Sequence, residues 1–394
     1  MTDHLDQPID NGEPAPPSPR RVTADGDGPP VAPTPEQEAE FARWRDEIDA
    51  LDQQLVLAMN ERAKVVQQVG EAKRRLGYPV FAPHREREVL EKIKGLNQGP
   101  LASRTLHAIW RQMMSGSFAL ERGLRIAYLG PRGSFSHLAA TRQFGESVEH
   151  VDVRSIGNVF SEVATSHCDY GMVPYENSSG GSISDTLDAF LEHDVTVYAE
   201  VKVEIRHSLY AQGEPDGIRQ VMSKPQVFDQ CRRWLRTHLP QAELVPELST
   251  SRAVERAANE PGVAAIGSEI AGDIYGVPAL FRGIQDSSNN ITRFLVIARE
   301  AARPTGEDKT TVMFVTKDRP GALVDVLADF QSSGLNLSHI DKRPSGRENW
   351  EYTFFVDVLA HRDADAMQLA IEKAREHCVS LRVVGSYPRA QNVL

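Results

Sequence analysis

The chain has 394 residues, 40% hydrophobic and 25% charged, with a formal net charge of -11. That length exceeds one compact core and predicts two or three domains, while the acidic balance argues against general nucleic-acid binding. No apolar run approaches a membrane span, there is no signal-peptide core, and Cys168, Cys231 and Cys378 are scattered without a CxxC spacing. A cytoplasmic protein is expected, off the membrane and without a disulfide framework or zinc site.

Residues 1–35 are rich in Pro, Gly and Asp and read as a disordered tail. From Phe41 a long helix is predicted, with Phe41, Ile48, Leu55, Val69 and Leu76 in one heptad series and Trp44, Leu51, Ala58, Val65 and Ala72 in the other. Gly77 and Pro79 stop it, and helices near 83–96 and 101–122 follow. Beyond Leu124, strands are expected at 124–129, 170–175, 195–206, 218–222, 263–266 and 292–298. Helices are expected near 136–144, 155–167, 182–193, 226–238 and 250–259, an α/β pattern with predominantly parallel sheet. The stretch 301–308 reads as a linker, and 309–388 as a ferredoxin-like βαββαβ unit.

Charge is unevenly spread. Residues 1–40 hold nine acidic and two basic residues, whereas 41–123 hold fourteen basic and ten acidic, which suggests an anionic small-molecule ligand for the helical segment. Arg62 occupies the apolar seam, where a lone charge is costly. Lys73, eleven residues on, lies about 20° from the same face and roughly 16 Å along the axis, so both cations can reach one anion. Arg45 is roughly 42 Å from Lys73 on one helix. It can join that site only from an antiparallel partner. Each cation alone reads as a solvated surface residue.

Trp44-Arg45-x-x-Ile48, Asn60-Glu61-Arg62, Gly70-Glu71-Ala72-Lys73 and Arg85-Glu86 resemble the all-helical chorismate mutase family over about 42–122. The resemblance implies a pericyclic rearrangement of chorismate to prephenate, without nucleophile, metal or organic cofactor. It implies that Arg45 of a second copy, Arg62 and Arg85 bind carboxylates or order the site. It further implies that Lys73 donates to the ether oxygen and Glu86 holds the substrate hydroxyl, with Ser117 and Glu121 matching the third-helix motif. Glu121 stands where a relative has Gln, and a carboxyl aids the ether oxygen only when protonated, so activity favouring lower pH is expected. Ala82 stands where some relatives have an acid. A mutase part that has lost its activity is the alternative.

In the central segment, Gly130-Pro131-Arg132-Gly133-Ser134-Phe135-Ser136-His137 follows a strand and opens a helix without the dinucleotide-binding glycine spacing. With Val173-Pro174-Tyr175-Glu176-Asn177-Ser178-Ser179-Gly180-Gly181-Ser182, Ser223-Lys224-Pro225-Gln226, Gln230, Ala265-Ile266-Gly267-Ser268 and Thr292-Arg293-Phe294, it resembles prephenate dehydratases across nearly all of 125–300. The resemblance implies two hinged α/β subdomains around a cleft, similar to type II periplasmic binding proteins. It implies Thr292 as proton donor to the departing hydroxyl, with Asn177, Ser178, Ser223, Gln226 and Gln230 as substrate contacts. Arg293 is open between a carboxylate contact and a structural ion pair, and Glu176 reads as architectural. A similar cleft can capture an aromatic ligand without reacting, and the Thr292-Arg293-Phe294 triplet favours the enzyme.

Gly321-Ala322-Leu323-Val324 and Asp341-Lys342-Arg343-Pro344 resemble the ACT regulatory domain, which implies phenylalanine as an effector bound between paired domains. Relatives commonly carry Glu-Ser at the positions of Asp341 and Lys342. The expected protein is therefore multidomain α and α/β: a tail at 1–35, a helical mutase domain at 36–123, a dehydratase domain at 124–301 and an ACT domain at 309–388. Chorismate, prephenate and phenylalanine are the expected ligands, and a homodimer or higher homo-oligomer the expected assembly.

Overall fold

The computed structural model describes residues 33–287, 289–345 and 351–394, so nearly all of the expected tail lies outside the described residues. The chain divides into two compact units, residues 1–62 and 63–394. Beyond Thr34 the described residues of the first unit lie in helix α1, Pro35–Leu76, which starts six residues before the predicted Phe41. The reason is a capping box: Gln37 N donates to Thr34 Oγ1 at 3.3 Å and Thr34 N to Gln37 Oε1 at 2.9 Å. The seam residues Phe41, Trp44, Ile48, Leu51 and Leu55 are all exposed.

In the second unit, Gly77 closes α1 in the left-handed region at φ 69°, where a side chain would be strained. The connection to α2 (Pro83–Leu96) buries Phe81 among Phe118, Phe144, Tyr170 and Tyr198, and its carbonyl accepts from Tyr198 Oη at 2.9 Å. Helix α3 (Ser103–Arg122) follows. Gly70 of α1 lies so close to α3 that an added Cβ would stand 2.8 Å from Glu121 Cγ.

The α/β region runs β1 (Arg125–Leu129), α4 (Phe135–Phe144), β2 (Glu149–Val153), α5 (Ile156–Ala164), β3 (Tyr170–Asn177), β4 (Gly181–Ser182), α6 (Ser184–Glu192), β5 (Thr196–Glu204), β6 (Ser208–Ala211), β7 (Gln220–Ser223), α7 (Pro225–Gln230), α8 (Arg232–His238), β8 (Glu243–Pro246), α9 (Thr250–Asn259), β9 (Val263–Gly267), α10 (Glu269–Tyr275), β10 (Ala279–Phe281) and β11 (Ile291–Ala298). Among the described residues it forms two sheets, β2-β1-β3-β11-β5 with β4 on β3, and β10-β6-β9-β7-β8. In each, parallel strands meet antiparallel ones where the chain crosses between subdomains: β11 runs against β3 and β5, and β6 against β9 and β10. Serine caps set three strand-to-helix turns, with Ser134, Ser155 and Ser249 accepting from the amide three residues on.

Three expectations are corrected. Both sheets are mixed rather than predominantly parallel, because β11 returns against β3 and β5, and β6 runs against β9 and β10. The helix predicted over 226–238 breaks at Cys231, because Asp286 accepts from Arg233 N at 2.8 Å and Trp234 N at 3.2 Å, capping a new helix. Strands β2, β4, β6, β8 and β10 and helix α10 are not among the expected elements; none exceeds seven residues.

The last region is β12 (Asp308–Thr316), α11 (Ala322–Ser332), β13 (Leu337–Pro344), β14 (Tyr352–Val358), α12 (Asp365–His377) and β15 (Cys378–Pro388), an antiparallel sheet ordered β13-β14-β12-β15. This is the expected βαββαβ order. It shares a core with the first sheet: Phe355, Val384 and Tyr387 are buried with Tyr175 and Val197. Gly385 permits the approach, since a Cβ there would lie 2.3 Å from Val197 O.

Candidate functional site

A cleft of about 1100 Å³ opens between the subdomains, lined by Asn177 and Thr292 from the first sheet and by Lys224, Gln226 and Gln230 beside the second. Thr292 is the second residue of β11 and pairs in register with Asn177 at the end of β3. Asn177 Nδ2 donates to Thr292 Oγ1 and to Asn290 Oδ1, both at 2.8 Å. Its Oδ1 accepts from Ser179 N and Gly180 N, both at 2.9 Å, which fixes the amide orientation. Thr292 Oγ1 thus accepts from Asn177 and retains its own proton to donate.

The Gly130–Ser134 turn forms another wall. Gly133, at φ 87°, donates its amide to His137 Nδ1 at 3.2 Å, and its carbonyl accepts from Ser268 Oγ at 2.7 Å. Burial first, then His150 and Arg132, push His137 down to about 4, so it is neutral and can accept that amide.

Other expected contacts are not brought together here. Ser223 is fully buried with its hydroxyl donating to Ile266 O at 2.8 Å, and Ser178 Oγ bonds Asn289 O at 3.0 Å. Neither lines the cleft. Arg293 takes the structural alternative: Nε lies 2.7 Å from Glu200 Oε2, Nη1 2.6 Å from Asp357 Oδ2, and Nη2 donates to Tyr387 Oη at 2.9 Å. Lys309 Nζ, 2.9 Å from Glu200 Oε2, completes the cluster. Burial raises Glu200, but Arg293 and Lys309 more than offset it, leaving its carboxyl below the usual range. Glu176 lies 3.6 Å from both Arg293 and His339 and is absent from the cleft lining.

The cations that do line the cleft include Lys224 and Arg154, the latter unforeseen. Also unforeseen is His207, buried at the crossover, whose Nε2 lies 2.7 Å from Gln230 Oε1. A histidine just beyond a strand that changes sheets was the available signal.

On the helical side, Lys73 Nζ lies 3.0 Å from Glu121 Oε2 and donates to Val80 O at 2.9 Å. Ser117 is buried, with Oγ donating to Met113 O at 2.8 Å. Glu86 is partly buried, accepting from Gln143 Nε2 at 2.9 Å with Arg111 3.7 Å away; its partial burial raises its carboxyl above the usual range. Arg85 is largely exposed and pairs with Glu88 at 2.8 Å. Arg45 is exposed and Arg62 partly buried, both in the first unit.

In the last region, Val315, Thr353 and Arg343 are neighbours in register, so Gly321–Val324 and Asp341–Pro344 sit at one end of the sheet. Gly321, Val324 and Lys342 are exposed; Ala322 is buried and Leu323 half-buried. Asp341 accepts from Lys342 N at 2.6 Å, and Lys342 Nζ stands 4.6 Å over the Tyr352 ring. Arg343 forms a two-point ion pair with Asp188 of α6, at 2.7 and 2.5 Å. Among the described residues no His, Cys, Asp and Glu cluster is suited to a metal, and no helix is long and apolar enough to cross a membrane.

Residues 44–122 match chorismate mutase type II, 126–302 prephenate dehydratase and 310–376 the ACT domain. A bifunctional chorismate mutase/prephenate dehydratase of Aquifex aeolicus is 40% identical, covering 89% of this chain and 98% of its own. One from Pseudomonas aeruginosa is 40% identical over 87% of this chain and 96% of its own. A prephenate dehydratase from Arthrobacter aurescens, solved in complex with L-Phe, superposes with a TM-score of 0.64 at 31% identity, over 68% of this chain and 90% of that one. The chain belongs to the family of bifunctional chorismate mutase/prephenate dehydratases.

Proposed function

We propose that the helical domain, residues 36–123, converts chorismate to prephenate, and that the cleft of residues 124–301 converts prephenate to phenylpyruvate under control of the ACT domain, residues 309–388. The observation that carries this reading is the Thr292–Asn177 pair in the cleft wall. Loss of carbon dioxide and hydroxide aromatises the ring, so the protein's task is to protonate the departing hydroxyl. Thr292 donates that proton. A threonine is a weak acid, and Asn177, donating to the same oxygen, stabilises the charge that develops on it. Gln226 and Gln230 hold the substrate, and Lys224 and Arg154 are among the cleft cations available to its carboxylates.

In the mutase reaction no bond to protein forms, and catalysis is the holding of a compact conformer with charge stabilised at the ether oxygen. Lys73 is the donor to that oxygen; its position beside Glu121 supports this. Arg62, Arg85 and Arg45 from a second copy hold the carboxylates, Glu86 holds the hydroxyl, and Ser117 supports the third-helix face. The exposed seam Phe41, Trp44, Ile48, Leu51 and Leu55 favours helix pairing between copies, giving a homodimer or higher homo-oligomer. Neither reaction needs a cofactor, and the setting is cytoplasmic. Phenylalanine, the ligand of the Arthrobacter aurescens dehydratase, is the effector of this chain, received at Gly321–Val324 and Asp341–Pro344.

The test gives purified protein chorismate and follows prephenate and phenylpyruvate separately, with and without phenylalanine. Prephenate left unconverted when supplied directly would make the cleft a binding module. Chorismate left unconverted beside intact dehydration would make the mutase domain inactive. Turnover and oligomeric state indifferent to saturating phenylalanine would remove the regulatory role.

A further inference from the structure

Helix α4 touches two sites. Its first turn, Phe135 and Ser136, lines the dehydratase cleft, and its last turn carries Gln143. Gln143 Nε2 donates to Glu86 Oε2 at 2.9 Å, while Arg111 of α3 approaches Oε1 at 3.7 Å. The contact is built into the fold. Arg111 also donates to the carbonyl of Arg142, and Ser147 N donates to Ser115 Oγ at 3.0 Å. Gly145, which ends the helix at φ 73°, packs so tightly that an added Cβ would stand 2.4 Å from Ser115 Cβ.

We propose that Gln143, a residue of the dehydratase segment, is a positioning residue for the mutase reaction, orienting the Glu86 carboxyl so that it accepts the chorismate hydroxyl. This rests on the role given to Glu86 above. A carboxylate offers about four lone-pair positions, and Gln143 and Arg111 engage only part of that acceptor capacity. Burial favours the protonated form, which could not accept in the same way, and Gln143 and Arg111 act against it. The charged group facing Glu86 from α3 is Arg111, and α4 presents the neutral Gln143. Nearby charges are engaged elsewhere: Arg142 with Glu269, Arg85 with Glu88, Arg87 with Glu307 and Lys73 with Glu121. The mutase centre therefore depends on a side chain supplied by the domain that consumes its product.

Gln143→Leu, Gln143→Glu and Glu86→Gln are compared in the full chain, with mutase and dehydratase kcat/KM followed against pH. Gln143→Leu is expected to lower mutase kcat/KM about tenfold at neutral pH and to move its acidic limb up by about one pH unit. Dehydratase turnover of prephenate stays unchanged. Gln143→Glu, which sets a second carboxyl beside Glu86, moves the limb further. An unmoved acidic limb in both Gln143 variants, with Glu86→Gln inactive as a mutase, overturns the positioning role and leaves that of Glu86 standing. An active Glu86→Gln mutase overturns both. Parallel loss of both activities, without a limb shift, makes Gln143 merely structural and also overturns the proposal.

Discussion

Arg293 Nη1 lies 2.6 Å from Asp357 Oδ2, so a residue adjacent to Thr292 on β11 is tied to β14 of the ACT domain. Successive residues of a strand face opposite sides of the sheet. Thr292 consequently lines the cleft while Arg293 turns into a buried cluster with Glu200, Lys309 and Asp357. Any movement of the ACT sheet relative to β11 acts one residue from the proposed proton donor.

Arg293→Met leaves Glu200 and Asp357 buried with Lys309, among the described residues, to balance them. Breaking such a cluster costs about 3–5 kcal/mol, a loss that chemical denaturation will read. Adding Asp357→Asn should recover part of it, a coupling that a double-mutant cycle measures directly.

Thr292→Val should lower dehydratase kcat by about 10²–10⁴ while mutase activity on the same preparation is unchanged. Asn177→Ala should also lower kcat, because it removes the donor to Thr292 Oγ1.

Ser223→Ala separates a structural serine from a substrate contact. With its hydroxyl given to Ile266 O, the variant should lose about 1–3 kcal/mol of stability at unchanged KM for prephenate. A raised KM with unaltered stability would return Ser223 to the cleft.

Glu121 accepts from Lys73 in this structure, and an ionised Glu121 competes with the ether oxygen for that ammonium. Glu121→Gln should raise mutase kcat/KM, because a neutral amide leaves the Lys73 ammonium to the ether oxygen. Unchanged mutase kinetics remove Glu121 from the reaction.

His137, pushed down to about 4 mainly by burial, is neutral in the folded chain where the unfolded chain protonates near 6.5. Its contribution to stability is complete above about pH 6.5 and is lost as pH falls toward 4. His137→Asn, keeping an acceptor for Gly133 N, should reduce that acid sensitivity by about 1–2 kcal/mol between pH 7 and 4 in denaturation curves.

The sequence by itself determined what acts over a few residues: the helical, α/β and βαββαβ order, the seam of α1, and the motifs that carry Lys73, Asn177 and Thr292. Periodicity, caps and turns are local, so a reader of the chain recovers them. Tertiary structure decided the partners. Arg293 was open between substrate and ion pair until Asp357, 64 positions away, took it up; Ser223 was given to Ile266, and Glu86 to Gln143 across 57 positions. Asp286 likewise broke a helix that local preference favoured at Cys231. A buried polar group bonds to whatever packing brings within reach, and packing is a property of surfaces meeting across the whole chain.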